Sequence, residues 1–592
     1  MVALALALPG LTFLFARWWS VPLYVSNDDV AVEFLLRGVG ITSRATAFAL
    51  FMHVGLGQLL VWLYAHLHGV SWYWVVMNVV LIVAGTTVSW ATVRRGLTLD
   101  RLILIAIYCL GFLLCFFVRP NFTISAAIAT QSAMILWLGE ISGGQALRGA
   151  RLWAFVMLVL LGGMIRIDAC MLQVAVAVPI ALWLAFGVRH SAPLSLPSPP
   201  EAGGEGNRDL SLLRLPEARG DASAAPQTEP ASFRLSLFSF REMRAVVVPL
   251  VIAGGIIGLL RVSQSYVYAT TPGWEHFEEF NYLRAQFTDY QASPFDDDTR
   301  AIYERVGWSK NDYDMLMSWF FEGPKMYSIE KFRAILSVLP YRPESFEHQL
   351  CALGQRALGG PSLQLMLAGA LGTLLFVGGR GGRAGIAIAF VTAVVAMLLV
   401  LFFLRRMPPQ VYGPLLAFIP GVAAILPGPS PLRRPWRAAR LTIQALCLAL
   451  IACWLVDTLY EWSRASANVA AARRNFLRSL DELWPGSDRI YVAWGGAFPY
   501  ILVLCDEDFA TVGRLNLVAL GCLMQTPVQK DRLRDLGIAD LYRSIFEDPR
   551  VFVICDRSLA ILFERYAKEH YGKRVKSRLV LEKPLGQYRV FN

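Results

Sequence analysis

Long apolar runs alternate with short polar segments along most of this chain. The runs cover residues 3–19, 72–91, 102–118, 124–138, 153–167, 169–186, 245–260, 365–377, 386–404, 411–426 and 443–460. In hydrocarbon each backbone N–H and C=O must be paired within the protein, and roughly 20 residues of helix span the apolar layer. The pattern therefore predicts a mainly α, polytopic membrane protein of about eleven transmembrane helices, of which 365–377 is the shortest. Residues 48–66 are equally apolar and are treated separately below. Two stretches, 262–364 and 461–592, have ordinary soluble composition.

The resulting organisation is a transmembrane module over 1–190, with a first outer loop at 21–47 and a juxtamembrane helix at 48–66. A linker follows at 191–244, disordered over 191–232, where Pro, Ser, Ala, Gly and Glu leave too little apolar surface to order the chain. Next come a helix at 245–261, an extracytoplasmic helical insertion at 262–364, a second transmembrane module at 365–460 and an extracytoplasmic α/β domain at 461–592. The first run has no charged segment ahead of it and no clear cleavage site, so it reads as a retained span.

Charge settles the predicted orientation. With a cytoplasmic N-terminus, Arg94, Arg95, Arg101, Arg148, Arg151, Arg380, Arg383, Arg433, Arg434, Arg437 and Arg440 all fall on the inner side, as the positive-inside bias requires. Counting 48–66 as a crossing would invert that, so this stretch reads as a re-entrant or surface-lying helix. The location this implies is the plasma (inner) membrane of a bacterium, with the C-terminal domain extracytoplasmic. The net charge of +11 does not signal nucleic acid, because much of the Arg lies in short loops between apolar runs. Nine Cys form no CxxC pair and no metal spacing.

In the insertion, 274–290 and the segment from Thr299 read as helices, Ser309 or Asn311 caps another, and Ser328 starts one more. Trp319, Phe320 and Phe321 read as packing or interface aromatics rather than ligand contacts. In the tail, 488–495, 500–505, 515–521 and 550–555 read as strands. Residues 530–546 and 557–571 read as helices, the latter capped by Asp556 and closed by Gly572. Residues 578–591 read as two strands around a turn.

Candidate chemistry begins in the first outer loop. Asp28 and Asp29 are adjacent, with Glu33 one turn beyond. They serve either as helix-capping acids, favoured at a helix N-terminus, or as a carboxylate site. Arg166 and Asp168 lie between two apolar runs, either as an ordinary hairpin turn or with Arg166 meeting an anion. Arg119 in the Arg119–Pro120–Asn121 turn faces the same space. Arg405 and Arg406 fall outside against the charge bias, where two guanidinium forks suit a lipid phosphate. His53, His66 and His68 read as interface residues, with His53 as possible support for the site.

A first span ending before an outward acidic pair, then a short amphipathic helix, an apolar juxtamembrane stretch containing His53, and a true second span resembles the GT-C membrane glycosyltransferases. The likeness covers about 1–186 and lacks the family's juxtamembrane Pro pair. It implies an inverting enzyme moving a sugar from a polyprenyl-phosphate donor to a glycan, lipid or protein acceptor on the outer face. Asp28 and Asp29 then take the catalytic positions, with Asp28 as base. Arg166, Arg405, Arg406 and Arg119 are the candidates for the donor phosphate. The resemblance fixes no cofactor and leaves metal dependence open; a divalent cation (Mg or Mn), if any, would lie on Asp28, Asp29 and Glu33. Two other classes fit a polytopic chain: a glycan or lipid transporter or flippase, and a non-catalytic component of a polysaccharide assembly system. Few charges within the spans favour surface chemistry over translocation.

Overall fold

The computed structural model describes residues 1–21, 23–186, 240–290, 293–339, 360–377, 379–404, 407–426, 434–483, 488–503, 506–583 and 586–591, with a few positions between 347 and 355. The predicted disordered stretch 191–232, Arg405 and Arg406 lie outside these residues. The chain is a polytopic, mainly helical membrane protein with a small sheet. Each of the eleven predicted spans corresponds to a helix. Eight described helices are long and apolar enough to cross a membrane, and three others, Ala150–Ile165, Pro361–Leu375 and Pro409–Ile425, are shorter. The juxtamembrane helix Val54–His66 has 13 residues, about 20 Å of rise against about 30 Å of hydrocarbon. It is too short to cross upright.

Small residues let the helices approach closely. Helix Phe122–Ser142 is central, with nearly every residue buried. A Cβ on Gly162 would fall 2.2 Å from Thr130 Oγ1 and 2.8 Å from the Ala126 carbonyl oxygen, so the neighbouring helix sits against it only as glycine permits. Arginines gather at one end of the bundle. Arg95 reaches the Ser142 carbonyl, Arg101 reaches that of Leu426, and Glu140 pairs with Arg151.

The parts of soluble composition stack at the other end. Helix Arg434–Leu483 has 50 residues, about 75 Å, and so continues well beyond the bilayer. Its Arg473 Nε meets Asp508 Oδ2 at 2.9 Å in the C-terminal domain. That domain holds β1 (Ile490–Ala493), β2 (Asn516–Ala519), β3 (Val551–Ile554), β4 (Ser577–Lys583) and β5 (Gly586–Phe591), in the order β2-β1-β3-β5-β4. β1 pairs parallel with β2 and β3, whereas β5 runs antiparallel to β3 and β4. Two expectations need correction. The apolar run from Tyr500 forms a 3-10 turn, Tyr500–Leu502, directly after Pro499. The helix expected over 530–546 is two helices, Pro527–Asp535 and Leu541–Glu547, separated at Gly537, whose φ is 73°.

The insertion shares one apolar core with this domain. Phe320 packs on Trp494 and Tyr542, and Trp494 Nε1 donates to the Ser318 carbonyl at 2.7 Å. Ser309 caps Lys310–Met317 in a reciprocal capping box with Asp312. That helix ends in a Schellman turn: Trp319 N–H bonds Leu316 O and Phe320 N–H bonds Met315 O. The residue in the left-handed position, normally glycine, is Trp319 with φ 61°. Such a side chain there costs about 1 kcal/mol.

Candidate active site

The first outer loop folds as the helix Asn27–Arg37, and it lies between the bundle and the C-terminal domain. Phe34 packs edge-on to Phe509 of that domain at 4.9 Å. The helix stops at Gly38 (φ 72°), where any Cβ would lie 2.3 Å from the Ala45 backbone nitrogen. Its inward face carries Asp29 and Glu33, both fully buried.

Asp29 is enclosed by donors from four residues. Oδ1 accepts from Tyr73 Oη at 2.7 Å and Phe122 N–H at 3.1 Å. Oδ2 accepts from Asn121 Nδ2 at 2.7 Å and Ser26 Oγ at 2.9 Å. Asn121 does two jobs, since its Oδ1 also caps helix Phe122–Ser142 through Thr123 N–H. The positive end of that helix thus faces the carboxylate. Burial pushes the Asp29 carboxyl up to about 6, against the opposing pull of the hydrogen bonds from Tyr73, Asn121, Phe122 and Ser26.

A folded value above the ordinary 3.8 means that folding takes up a proton. The contribution of Asp29 to stability is therefore complete below that ordinary value and is lost as pH rises through about 6. It is worth on the order of 3 kcal/mol at most. Melting of the detergent-solubilised protein, compared with Asp29→Asn, should show the wild type losing relative stability between pH 4 and pH 7. Parallel curves would contradict this value.

Glu33 is a second closed node. It accepts from Tyr24 Oη at 2.8 Å, Tyr64 Oη at 2.9 Å, and Arg37 Nε and Nη2 at 3.0 and 2.7 Å. The Arg37 guanidinium is itself stacked between Tyr64 and Phe509, each 4.5 Å away. Both oxygens of Asp29 and of Glu33 thus accept from protein donors. Among the described residues the group with metal-ligand spacing is elsewhere: Asp312, Glu569 and His570. Asp312 is already committed to its capping box and to His570 Nε2 at 2.7 Å.

Asp28 sits in the first turn of the same helix, half-buried on its outer side. Its charge is felt at Cys522 of the C-terminal domain. Burial pushes that thiol up to about 12, with Asp28 adding to the rise, Arg284 opposing it and Asp289 adding again. Cys522 thus lies within electrostatic reach of both the first loop and the insertion.

Arg166 stands on the other side of the Asn121–Thr123 corner. Its Nη1 donates to Thr123 Oγ1 at 3.0 Å, and its guanidinium lies 5.1 Å from the Phe122 ring centroid and 5.6 Å from that of Phe51. Among the described residues it has no carboxylate partner, and most of its five donors are unused. Arg119 and Asp168 are exposed at neighbouring helix ends. His53 holds a joint: its Nδ1 accepts from Gly55 N–H at 3.0 Å, its Nε2 meets Ser263 Oγ at 3.0 Å, and its N–H bonds Met164 O. Burial lowers its pKa, so the neutral ring pins the juxtamembrane helix to helix Phe240–Thr270. It positions the wall of the site and points no free nitrogen into it.

The structure brings Asp29 and Arg166 around one corner, with Asp28 next to Asp29 in the first turn of its helix. The residues that hold them, Tyr73, Asn121 and Thr123, were missed from sequence. An Asn at the start of an apolar helix is a visible capping signal, but its second bond, to a residue 92 positions away, is not.

No protein-family model matches the chain, and no curated protein does. Two solved structures are similar over nearly its whole length. ArnT from Cupriavidus metallidurans in the apo state has 11% identity and a TM-score of 0.38, covering 99% of this chain and 97% of that one. ArnT from the same organism bound to undecaprenyl phosphate has 10% identity and a TM-score of 0.39, with the same coverage.

Proposed function

We propose that this protein is an inverting membrane glycosyltransferase of GT-C type, which moves a sugar from a polyprenyl-phosphate donor to an acceptor hydroxyl at the outer water–lipid boundary. The observation that carries the reading is the corner at Asn121–Thr123. One side fixes Asp29 and thereby Asp28. The other holds Arg166, a guanidinium with no neutralising carboxylate among the described residues.

In this scheme Asp28 takes the proton of the acceptor hydroxyl as its oxygen attacks the anomeric carbon. The bond from that carbon to the phosphate oxygen breaks, and the polyprenyl phosphate leaves with the electron pair. No acid is needed, because the leaving group departs as an anion, which Arg166 meets. Attack opposite the leaving group inverts the anomeric centre. Asp29 is an anchor in this scheme, since its lone pairs are already engaged. Arg119 is a secondary phosphate contact at the neighbouring helix end. No step requires a metal.

Arg166→Ala tests the donor site. With undecaprenyl phosphate as the probe, binding by the purified protein should weaken about 10–100-fold, the equivalent of a charge-assisted hydrogen-bonded contact, and Arg166→Lys should recover only part of it. Unchanged binding in Arg166→Ala would remove Arg166 from the donor site.

A further inference from the structure

Leu50 lies in the loop between the first outer helix and the juxtamembrane helix, and its backbone is left-handed, with φ 61°. A leucine at that φ is strained, so the structure around it must hold it there.

The surrounding segment is tied at nearly every step. Phe48 N–H meets Thr46 Oγ1 at 3.2 Å. The N–H groups of Ala49 and Phe51 each bond the carbonyl two residues earlier, at 3.0 and 2.7 Å. Ala47 presses on the juxtamembrane helix, where a Cβ on Gly57 would fall 2.3 Å from the Ala47 carbonyl oxygen. Gln264 secures the exit: its Oε1 accepts from Val54 N–H at 2.9 Å, and its Nε2 donates to the Met52 carbonyl at 3.4 Å. His53 N–H reaches Met164 O at 2.9 Å, two residues before Arg166.

This turn sends two aromatic rings to different neighbours. Phe48 stacks on Trp274 of the insertion at 4.7 Å, whereas Phe51 stacks on Phe122 at 5.5 Å with 11° between the planes. The Arg166 guanidinium lies 5.6 Å from Phe51 and 5.1 Å from Phe122, so the three centres form a nearly equilateral triangle. Phe122 belongs to the corner that fixes Asp29; Phe51 comes from a separate segment and adds the second ring. Both rings attract the cation and take up one flank of it with aromatic carbon. Thr123 Oγ1 takes one N–H. The guanidinium is thereby held in one place while its other donors stay available, and a fork fixed in advance loses less freedom when an anion binds.

We propose that Phe51 is a positioning residue for the donor phosphate: with Phe122 it holds the Arg166 guanidinium in its binding orientation, and the strained turn at Leu50 holds Phe51. The assignment rests on the donor site proposed at Arg166, and a double-mutant cycle separates the two. Binding of undecaprenyl phosphate is measured on the full chain in lipid nanodiscs for the wild type, Phe51→Leu, Arg166→Ala and the double variant, with melting of each preparation. Phe51→Leu keeps apolar bulk and removes the ring. It should weaken binding about 3–30-fold, the scale of one cation–π contact, and Phe51→Tyr should stay within about twofold of the wild type. In the Arg166→Ala background Phe51→Leu should add less than about twofold, because the cation it aims is gone. A loss that is equal in both backgrounds, or wild-type binding by Phe51→Leu while Arg166→Ala is impaired, would overturn the positioning role and leave the donor site standing. Wild-type binding by Arg166→Ala would remove both.

Discussion

Asp28→Asn is expected to lower turnover by about 10²–10⁴-fold, the usual contribution of a positioned general base. Asparagine matches the carboxylate in shape, and the helix Asn27–Arg37 has no side-chain cap to lose, but the amide accepts no proton at neutral pH. Donor binding should therefore survive, since Arg166 and its corner do not use Asp28, and the melting temperature should change little at a half-buried position. Steady-state transfer, undecaprenyl phosphate binding and melting of the same preparation separate these effects. Full activity in a folded Asp28→Asn would mean that the proton goes elsewhere.

Asp29→Ala should do something different, although the two residues are adjacent. It removes the acceptor for Tyr73, Asn121, Phe122 N–H and Ser26 at a fully buried site. Each stranded donor costs about 1–3 kcal/mol, so the loss is a large fraction of a typical folding free energy. The melting temperature should fall by many degrees, and hydrogen exchange should rise across Ser26–Arg37 before it rises in the bundle. Activity would go as a consequence. A variant that melts like the wild type would show that these bonds do not anchor the loop. The contrast is informative: an inactive, stable Asp28 variant beside an unstable Asp29 variant assigns chemistry to one carboxylate and structure to the other.

Much of the architecture was legible because apolar runs of helical length have one solution in hydrocarbon. The caps were also legible: Ser309, Ser328, Asp556 and Gly572 stand where the sequence signals place them. The failures share a physical cause. At Tyr500–Leu502 an apolar run matched a strand, but the preceding proline and tertiary packing turned it. The two acids of the first loop were separable only through space, because helical rotation buries Asp29 and leaves Asp28 outward. Nothing local to Glu33 shows that Tyr24, Tyr64 and Arg37 close around it. The left-handed backbone at Trp319 has no signal in its sequence context. Contacts between distant segments, not local propensity, decide which polar residues of this fold are available for chemistry.

The most direct measurement is the release of polyprenyl phosphate. Purified protein in nanodiscs is given polyprenyl-phosphate-linked sugars together with the envelope glycans of its host, and lipid phosphate is quantified against sugar transferred. The account predicts one phosphate released per sugar moved, with an inverted anomeric centre in the product and release by Asp28→Asn slowed about 10²–10⁴-fold. Product with retained configuration, or equal release by wild type and Asp28→Asn, would contradict it.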